Sequence, residues 1–163
     1  MRERVRLVLK VSLLVLFITG FLSCFKENLS EENEREIINN YLKEKGIDIE
    51  PTESGLYYVE LIKGTGAQAF QGDTVEIFYI GYYLTGKIFA YNINTDPYRF
   101  AIGSGDVIPG LDEGVSYMRE GGEALLVIPS SLAYGSEGNY QLGISGYTPL
   151  AFEVILDKVI PGL

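Results

Sequence analysis

The sequence contains no histidine, no tryptophan and a single cysteine, Cys24. Without histidine there can be no Ser-His-Asp triad, no His-paired cysteine nucleophile and no H-E-x-x-H zinc site. One cysteine cannot close a disulfide within the chain, so cysteine pairing says nothing of the redox compartment. Positive charge is also scarce. Residues 1–23 hold Arg2, Arg4, Arg6 and Lys10 against Glu3, but beyond them nine basic residues face 21 acidic ones, a net −12 within an overall −9. Such an acidic body argues against nucleic-acid binding, which needs basic surface, and favours solubility instead. Internal repeats and low-complexity segments are missing too. The 163 residues suffice for one domain with a real core plus extra segments.

What the chain does have is aromatic surface: 12 tyrosines and 8 phenylalanines. This many aromatic rings without histidine point to binding by apolar enclosure more than to proton shuttling.

The start of the chain reads as an address. "MRERVRLVLK" is a basic n-region, and "VSLLVLFITGFLSC" supplies an apolar stretch ending in small Ser23 and Cys24. The uncharged run from Val11 to Phe25 covers 15 residues, short of the about 20 a spanning helix needs. A cleaved signal over 1–23 fits better. "FLSC" resembles a bacterial lipobox, with Phe21 where leucine is usual. The resemblance implies lipidation of Cys24, a lipid anchor in a membrane, and a body facing the periplasm or cell surface of a bacterial cell envelope.

Residues 24–54 are expected to form a tether and an N-terminal helix. Ser30 reads as its N-cap, Glu31, Glu32 and Glu34 suit its positive end, and Ile37, Ile38, Tyr41 and Leu42 form its apolar stripe. Lys43 and Lys45 sit near the other end, with Gly46 as the C′ residue. From Gly55 the text turns to strands: "GLYYVELIKG", "DTVEIFYIGYYL", "TGKIFAY", "YRFAIG", "EALLVIPS" and "PLAFEVILDKVI", punctuated by glycines. Between the fourth and fifth runs stands "DVIPGLDEGVSYM". Pro109 suits a first helical turn, and Asp112 and Glu113 suit its positive end. Mostly antiparallel strands with one late helix indicate an α+β domain over 55–163, a curved sheet wrapped on that helix.

The helix start is the odd feature, because Val107, Ile108 and Leu111 are apolar where a polar cap is usual. "VEIFYIGYYLTGKIFAYN", "YRFAIGSGDVIPGLDEGVSYMREGGEALLVIPSSLAYGSEG" and "YTPLAFEVIL" resemble, in that order, the FKBP-type peptidyl-prolyl isomerases. The similarity runs from about Leu56 to Val159, roughly two thirds of the chain. It implies five or six antiparallel strands curled around the helix, with a pocket between the helix start and the inner face of the sheet. Carried over residue by residue, Tyr79, Phe89 and Phe152 match aromatic or apolar walls. Tyr98 stands where a phenylalanine is usual, and Phe100 matches a deeper ring. Val107 and Ile108 match the lip, Leu111 the floor and Ile144 a further wall. Tyr134 matches the tyrosine whose hydroxyl binds a substrate carbonyl. The residues expected to carry the reaction are Tyr79, Phe89, Ile108, Tyr134 and Phe152; Tyr98, Phe100, Val107, Leu111 and Ile144 are expected to bind substrate.

The resemblance implies a peptidyl-prolyl cis-trans isomerase that assists the folding of exported proteins. Its partners would be proline-containing polypeptides and macrolide-type inhibitors, with no nucleic acid. Rotating an X–Pro bond makes and breaks no bond to the substrate, so no nucleophile, general base, cofactor or metal is required. The sequence departs from the family where Ala90 follows Phe89, a position commonly held by aspartate, and where "GISGYTP" lacks a frequent Pro-Pro pair. Asp96 lies too far along to replace that acid simply. The alternative reading is therefore a weakly active or inactive lipoprotein that binds proline peptides as a chaperone or assembly factor.

Overall fold

The computed structural model describes residues 32–93 and 95–162. The expected signal segment 1–23, the candidate lipidation residue Cys24 and the expected cap Ser30 lie outside the described residues. Among those described, no helix is long and apolar enough to cross a membrane.

Helix α1 covers 32–45. Its buried face is Glu34, Ile38, Tyr41 and Leu42, the i, i+4, i+7, i+8 spacing of one helical face. Ile37, expected in the stripe, is turned outward and 40% exposed, because it lies at the flank of the face that Glu34, Ile38, Tyr41 and Leu42 press on the protein. The helix ends in two bonds, Gly46 N–H to the Lys43 carbonyl at 3.1 Å and Ile47 N–H to the Leu42 carbonyl at 2.9 Å. This closure needs the left-handed φ of 68° that Gly46 adopts without strain.

The strand-rich runs form six strands: β1 (Tyr57–Ile62), β2 (Thr74–Tyr83), β3 (Ile88–Tyr91), β4 (Tyr98–Ala101), β5 (Glu123–Ile128) and β6 (Leu150–Ile160). They make one antiparallel sheet in the order β1-β5-β6-β2-β3, with β4 pairing the first half of β2. The expected α+β architecture, a sheet wrapped on one short helix with an extra N-terminal helix, is the architecture found.

Helix α2 (Pro109–Ser116) lies on the inner face of the sheet. Its seat is tight. A Cβ on Gly110 would stand 2.4 Å from Cγ2 of Ile128, and one on Gly114 would stand 2.5 Å from Cδ1 of Leu126. Both glycines are i and i+4 on the buried face, so the backbone of α2 rests directly on β5. Leu111 and Val115 complete that face and pack with Ile77, Leu126, Leu150 and Leu156. Each such side chain, fully buried, stabilises the fold by about 1.5–3 kcal/mol.

The opposite face of the sheet carries α1. Ile38, Tyr41 and Leu42 meet Tyr82, Leu125, Val127 and Ala151. β5 is covered on both sides, inward by Ala124, Leu126 and Ile128 and outward by Leu125 and Val127, which explains its unbroken apolar run. Tyr41 and Tyr82 hydroxyls meet at 3.2 Å, and the Tyr82 hydroxyl donates to Glu153 Oε1 at 3.1 Å, so polar atoms at this join are satisfied.

Candidate active site

Strand β2 changes partner midway. Thr74 to Ile77 pair with β4, and Ile80 to Tyr82 pair with β3. Tyr79 falls in the gap between the two. Asn92 fills it: its Oδ1 accepts from the Tyr79 N–H at 2.7 Å, and its Nδ2 donates to the Ile77 carbonyl at 2.9 Å. A side-chain amide thus replaces the missing stretch of ladder and holds Tyr79 in line. No motif in the sequence marks Asn92; only the interrupted pairing reveals it.

Tyr79 belongs to a continuous run of rings. Tyr83 meets Phe89 at 5.6 Å between centroids, Phe89 meets Phe152 at 5.6 Å, Phe152 meets Tyr79 at 5.9 Å, and Tyr79 meets Tyr98 at 6.2 Å. Gly81 makes the middle of this run feasible. A Cβ there would come within 2.8 Å of Phe89 and 2.9 Å of Phe152.

The rings wall a cavity of about 510 Å³ whose floor is Leu111 and whose lip is Val107 and Ile108. Tyr79, Phe89, Tyr98, Tyr134 and Phe152 all line it. Eight of the ten pocket residues expected from the sequence therefore share one space. Phe100 and Ile144 do not. Phe100 is 3% exposed beneath the Tyr98 ring, and Ile144 is 1% exposed in the core under the 135–147 loop. Their apolar bulk is consumed by packing, which the residue type alone could not distinguish from lining. Leu142, Asp106 and Ala90 line the cavity as well, whereas Asp96 does not. Leu142 comes from the loop over the pocket, where no periodicity reports side-chain direction. Tyr83 anchors that loop through its hydroxyl, which donates to the Gly143 carbonyl at 2.9 Å.

The helix start supplies the polar elements. Ile108 is the N-cap of α2, with extended backbone and no side-chain cap bond. Its carbonyl accepts from the N–H groups of Leu111 and Asp112 at 3.0 and 3.1 Å. Among the described residues, nothing accepts from its own N–H. Across the cavity stand the phenols of Tyr79 and Tyr134. Burial raises the pKa of each; for Tyr134 a bond with the Asn139 side chain opposes part of that rise, and for Tyr79 the Tyr98 phenol adds to it. Both hydroxyls remain protonated donors at neutral pH. The site thus offers a half-enclosed aromatic box with hydrogen-bond donors at its edge and the Asp106 carboxyl beside its lip.

A second hollow, about 630 Å³, lies between α1 and the 129–136 loop. It has more room, but among the described residues that line it only Tyr57 and Tyr147 are aromatic, so it lacks the aromatic enclosure of the site beside α2.

The family model for FKBP-type peptidyl-prolyl cis-trans isomerase matches residues 66–157. An FK506-binding protein 4 of Emericella nidulans is 45% identical over 96 residues, 59% of this chain and 20% of that protein. The crystal structure of a peptidyl-prolyl cis-trans isomerase from Pseudomonas syringae pv. tomato is similar with a TM-score of 0.70 and 33% identity, covering 83% of this chain and 96% of that one. FkpA from Escherichia coli gives a TM-score of 0.71 at 33% identity, covering 85% of this chain and 62% of its own. The chain spans only 20% to 26% of the length of the curated relatives it matches. Those relatives come from fungi and from Dictyostelium discoideum. These eukaryotic relatives overturn the bacterial envelope location expected from the first 24 residues. The matched stretch exceeds half of the chain and contains the whole aromatic box: this chain belongs to the FKBP-type peptidyl-prolyl cis-trans isomerase family.

Proposed function

We propose that the chain catalyses cis-trans isomerisation of X–Pro peptide bonds in polypeptides, with the cavity beside α2 as its active site. The observation that carries this reading is that Tyr79, Phe89, Ile108, Tyr134 and Phe152 face one hollow whose floor is the apolar start of a helix.

The chemistry follows from the bond. Rotation about X–Pro breaks amide resonance, with a barrier of about 18–20 kcal/mol and an uncatalysed exchange of tens to hundreds of seconds. The planar amide carries separated charge; the twisted one carries less. A pocket walled by Phe89, Phe152 and Tyr79 withdraws water and so disfavours the planar form relative to the twisted one. The proline ring rests on Leu111 between these walls. The neighbouring carbonyl accepts from the Ile108 N–H and the Tyr134 hydroxyl, which hold one side of the bond while the other turns. Interactions stronger in the twisted state than in the planar state accelerate the step. Proline-containing segments of folding chains are the substrate class, and macrolide-type ligands would occupy the same box.

A second reading has a specific observation behind it. Ala90 lines the cavity where the family commonly has an aspartate. On that reading the box binds proline segments with little turnover. An isomerisation assay on an X–Pro tetrapeptide, run beside a binding titration with the same peptide, separates the two. Turnover in the parent that falls, without vanishing, in Tyr134→Phe supports the isomerase. Saturable binding with spontaneous exchange rates supports the binding module, and neither binding nor turnover removes both.

A further inference from the structure

Glu34 is a carboxylate on α1, 6% exposed, that meets no cation among the described residues. A buried carboxylate needs strong compensating hydrogen bonds. Here they come from one residue 96 positions away. Oε1 of Glu34 accepts from the Ser130 N–H, and Oε2 accepts from the Ser130 hydroxyl at 2.6 Å. Ser130 is itself buried and opens a short 3-10 turn, Ser130–Leu132. The residue before it, Pro129, has no side-chain acceptor for the free N–H groups at the turn's start. α1 supplies that acceptor from outside the turn.

The consequence runs through Ser130 to Tyr134. The Ser130 carbonyl accepts from the N–H groups of Ala133 at 2.9 Å and Gly135 at 2.8 Å. These are the two neighbours of Tyr134. The inner side of this loop packs on the core through Leu132, Ala133 and Tyr134, and its outer side borders the hollow of about 630 Å³ lined by Glu34, Ser130 and Gly135. On that outer side the Glu34 bonds are what tie the loop to α1.

We infer that Glu34 is a positioning residue, through which α1 holds the Ser130 turn and thereby sets the Tyr134 hydroxyl at the cavity. Its effect on turnover rests on the proposed isomerase reading; its effect on the loop does not.

The test uses the full chain and reads both. In Glu34→Ala, kcat/KM falls about tenfold, the order of loss a displaced hydrogen-bond donor produces. Glu34→Gln, which keeps an acceptor oxygen, recovers most of that loss. In a Tyr134→Phe background the alanine change costs less than about twofold, since the group it positions is gone. By hydrogen exchange, the Ala133 and Gly135 amides open faster in Glu34→Ala while the β5 and β6 amides do not. If the alanine variant does not fold, Ser130→Ala carries the test, since it keeps the backbone bond, loses the hydroxyl one and gives an intermediate loss. The inference is overturned if Glu34→Ala, or Ser130→Ala in its place, keeps both full turnover and slow exchange at these amides. An equal loss with and without the Tyr134 hydroxyl also overturns it. Should the parent chain not accelerate exchange at all, the isomerase reading fails, and amide exchange alone decides for or against Glu34.

Discussion

The Phe89 and Phe152 rings meet edge to face, 5.6 Å apart with planes at 81°, and the backbone of Gly81 runs directly behind both. Two walls of the cavity thus share one missing side chain. Gly81→Ala would place a Cβ 2.8 Å from one ring and 2.9 Å from the other. In a strand, alanine is normally the easier residue, but here overlap decides the sign. The expected outcome is a loss of about 1–3 kcal/mol in stability with a marked fall in kcat/KM, checked by denaturant unfolding and peptide turnover on the same variant. Unchanged values would mean that the rings do not close on Gly81.

Asn92 holds Tyr79 where the sheet ladder is interrupted. Asn92→Ala leaves the Tyr79 N–H and the Ile77 carbonyl without that partner, which costs about 1–3 kcal/mol for a half-buried group. Activity should fall further than stability explains, because Tyr79 moves with its strand. Turnover measured well below the variant's Tm checks this; full activity there would remove Asn92 from the site's support.

Ala90 pairs with Gly81 across β2 and β3 and lines the cavity. Ala90→Asp returns a carboxylate to the position the family commonly reserves for one. Turnover is expected to rise several-fold, within the about 0.5–1.5 kcal/mol of a single hydrogen bond. A flat response in the tetrapeptide assay would count against matching the β3 loop to the family pattern.

The chain has no histidine, and burial pushes the Tyr79 and Tyr134 phenols upward, away from neutral pH. The rate of isomerisation should be level between about pH 6 and 9. A bell centred near pH 7 would indicate acid-base chemistry instead.

Stability should respond only at high pH on the tyrosine side. Burial, then the bond with Tyr41, raises the Tyr82 pKa well above its ordinary value of 10.0. A raised folded-state pKa contributes stability that is complete below the unfolded value and lost as pH rises above it. Tm should therefore fall above about pH 10, and the fall should be shallower in Tyr82→Phe than in the parent. Equal slopes in thermal melts would show that Tyr82 ionises freely in the folded chain.

Much of this fold was legible because its signals are local. The alternation of Val75, Ile77 and Tyr79, the unbroken "EALLVI" run and Pro109 at a helix start each mark their element within a few residues. The apolar entrance at Val107 and Ile108 stood out because it contradicts ordinary helix capping. What escaped the sequence depends on contacts between distant segments. Phe100 and Ile144 have the same apolar character as true lining residues, and only the depth of packing tells them apart. Ile37, expected in the apolar stripe, turns outward because only the packing of α1 on the sheet decides which side is covered. Glu34 stands at the positive end of α1 as expected, but its burial depends on Ser130, 96 residues away. Asn92 is invisible until β2 is seen to change partners.

The most direct measurement is NMR exchange spectroscopy on an X–Pro peptide mixed with a small amount of the full chain. Cis and trans resonances that are separate over tens of seconds alone should exchange well within a second, with peptide-induced shifts gathered at Tyr79, Phe89, Ile108, Tyr134 and Phe152. Cis-trans exchange no faster than in buffer, or shifts gathered anywhere but around this aromatic box, would contradict the account.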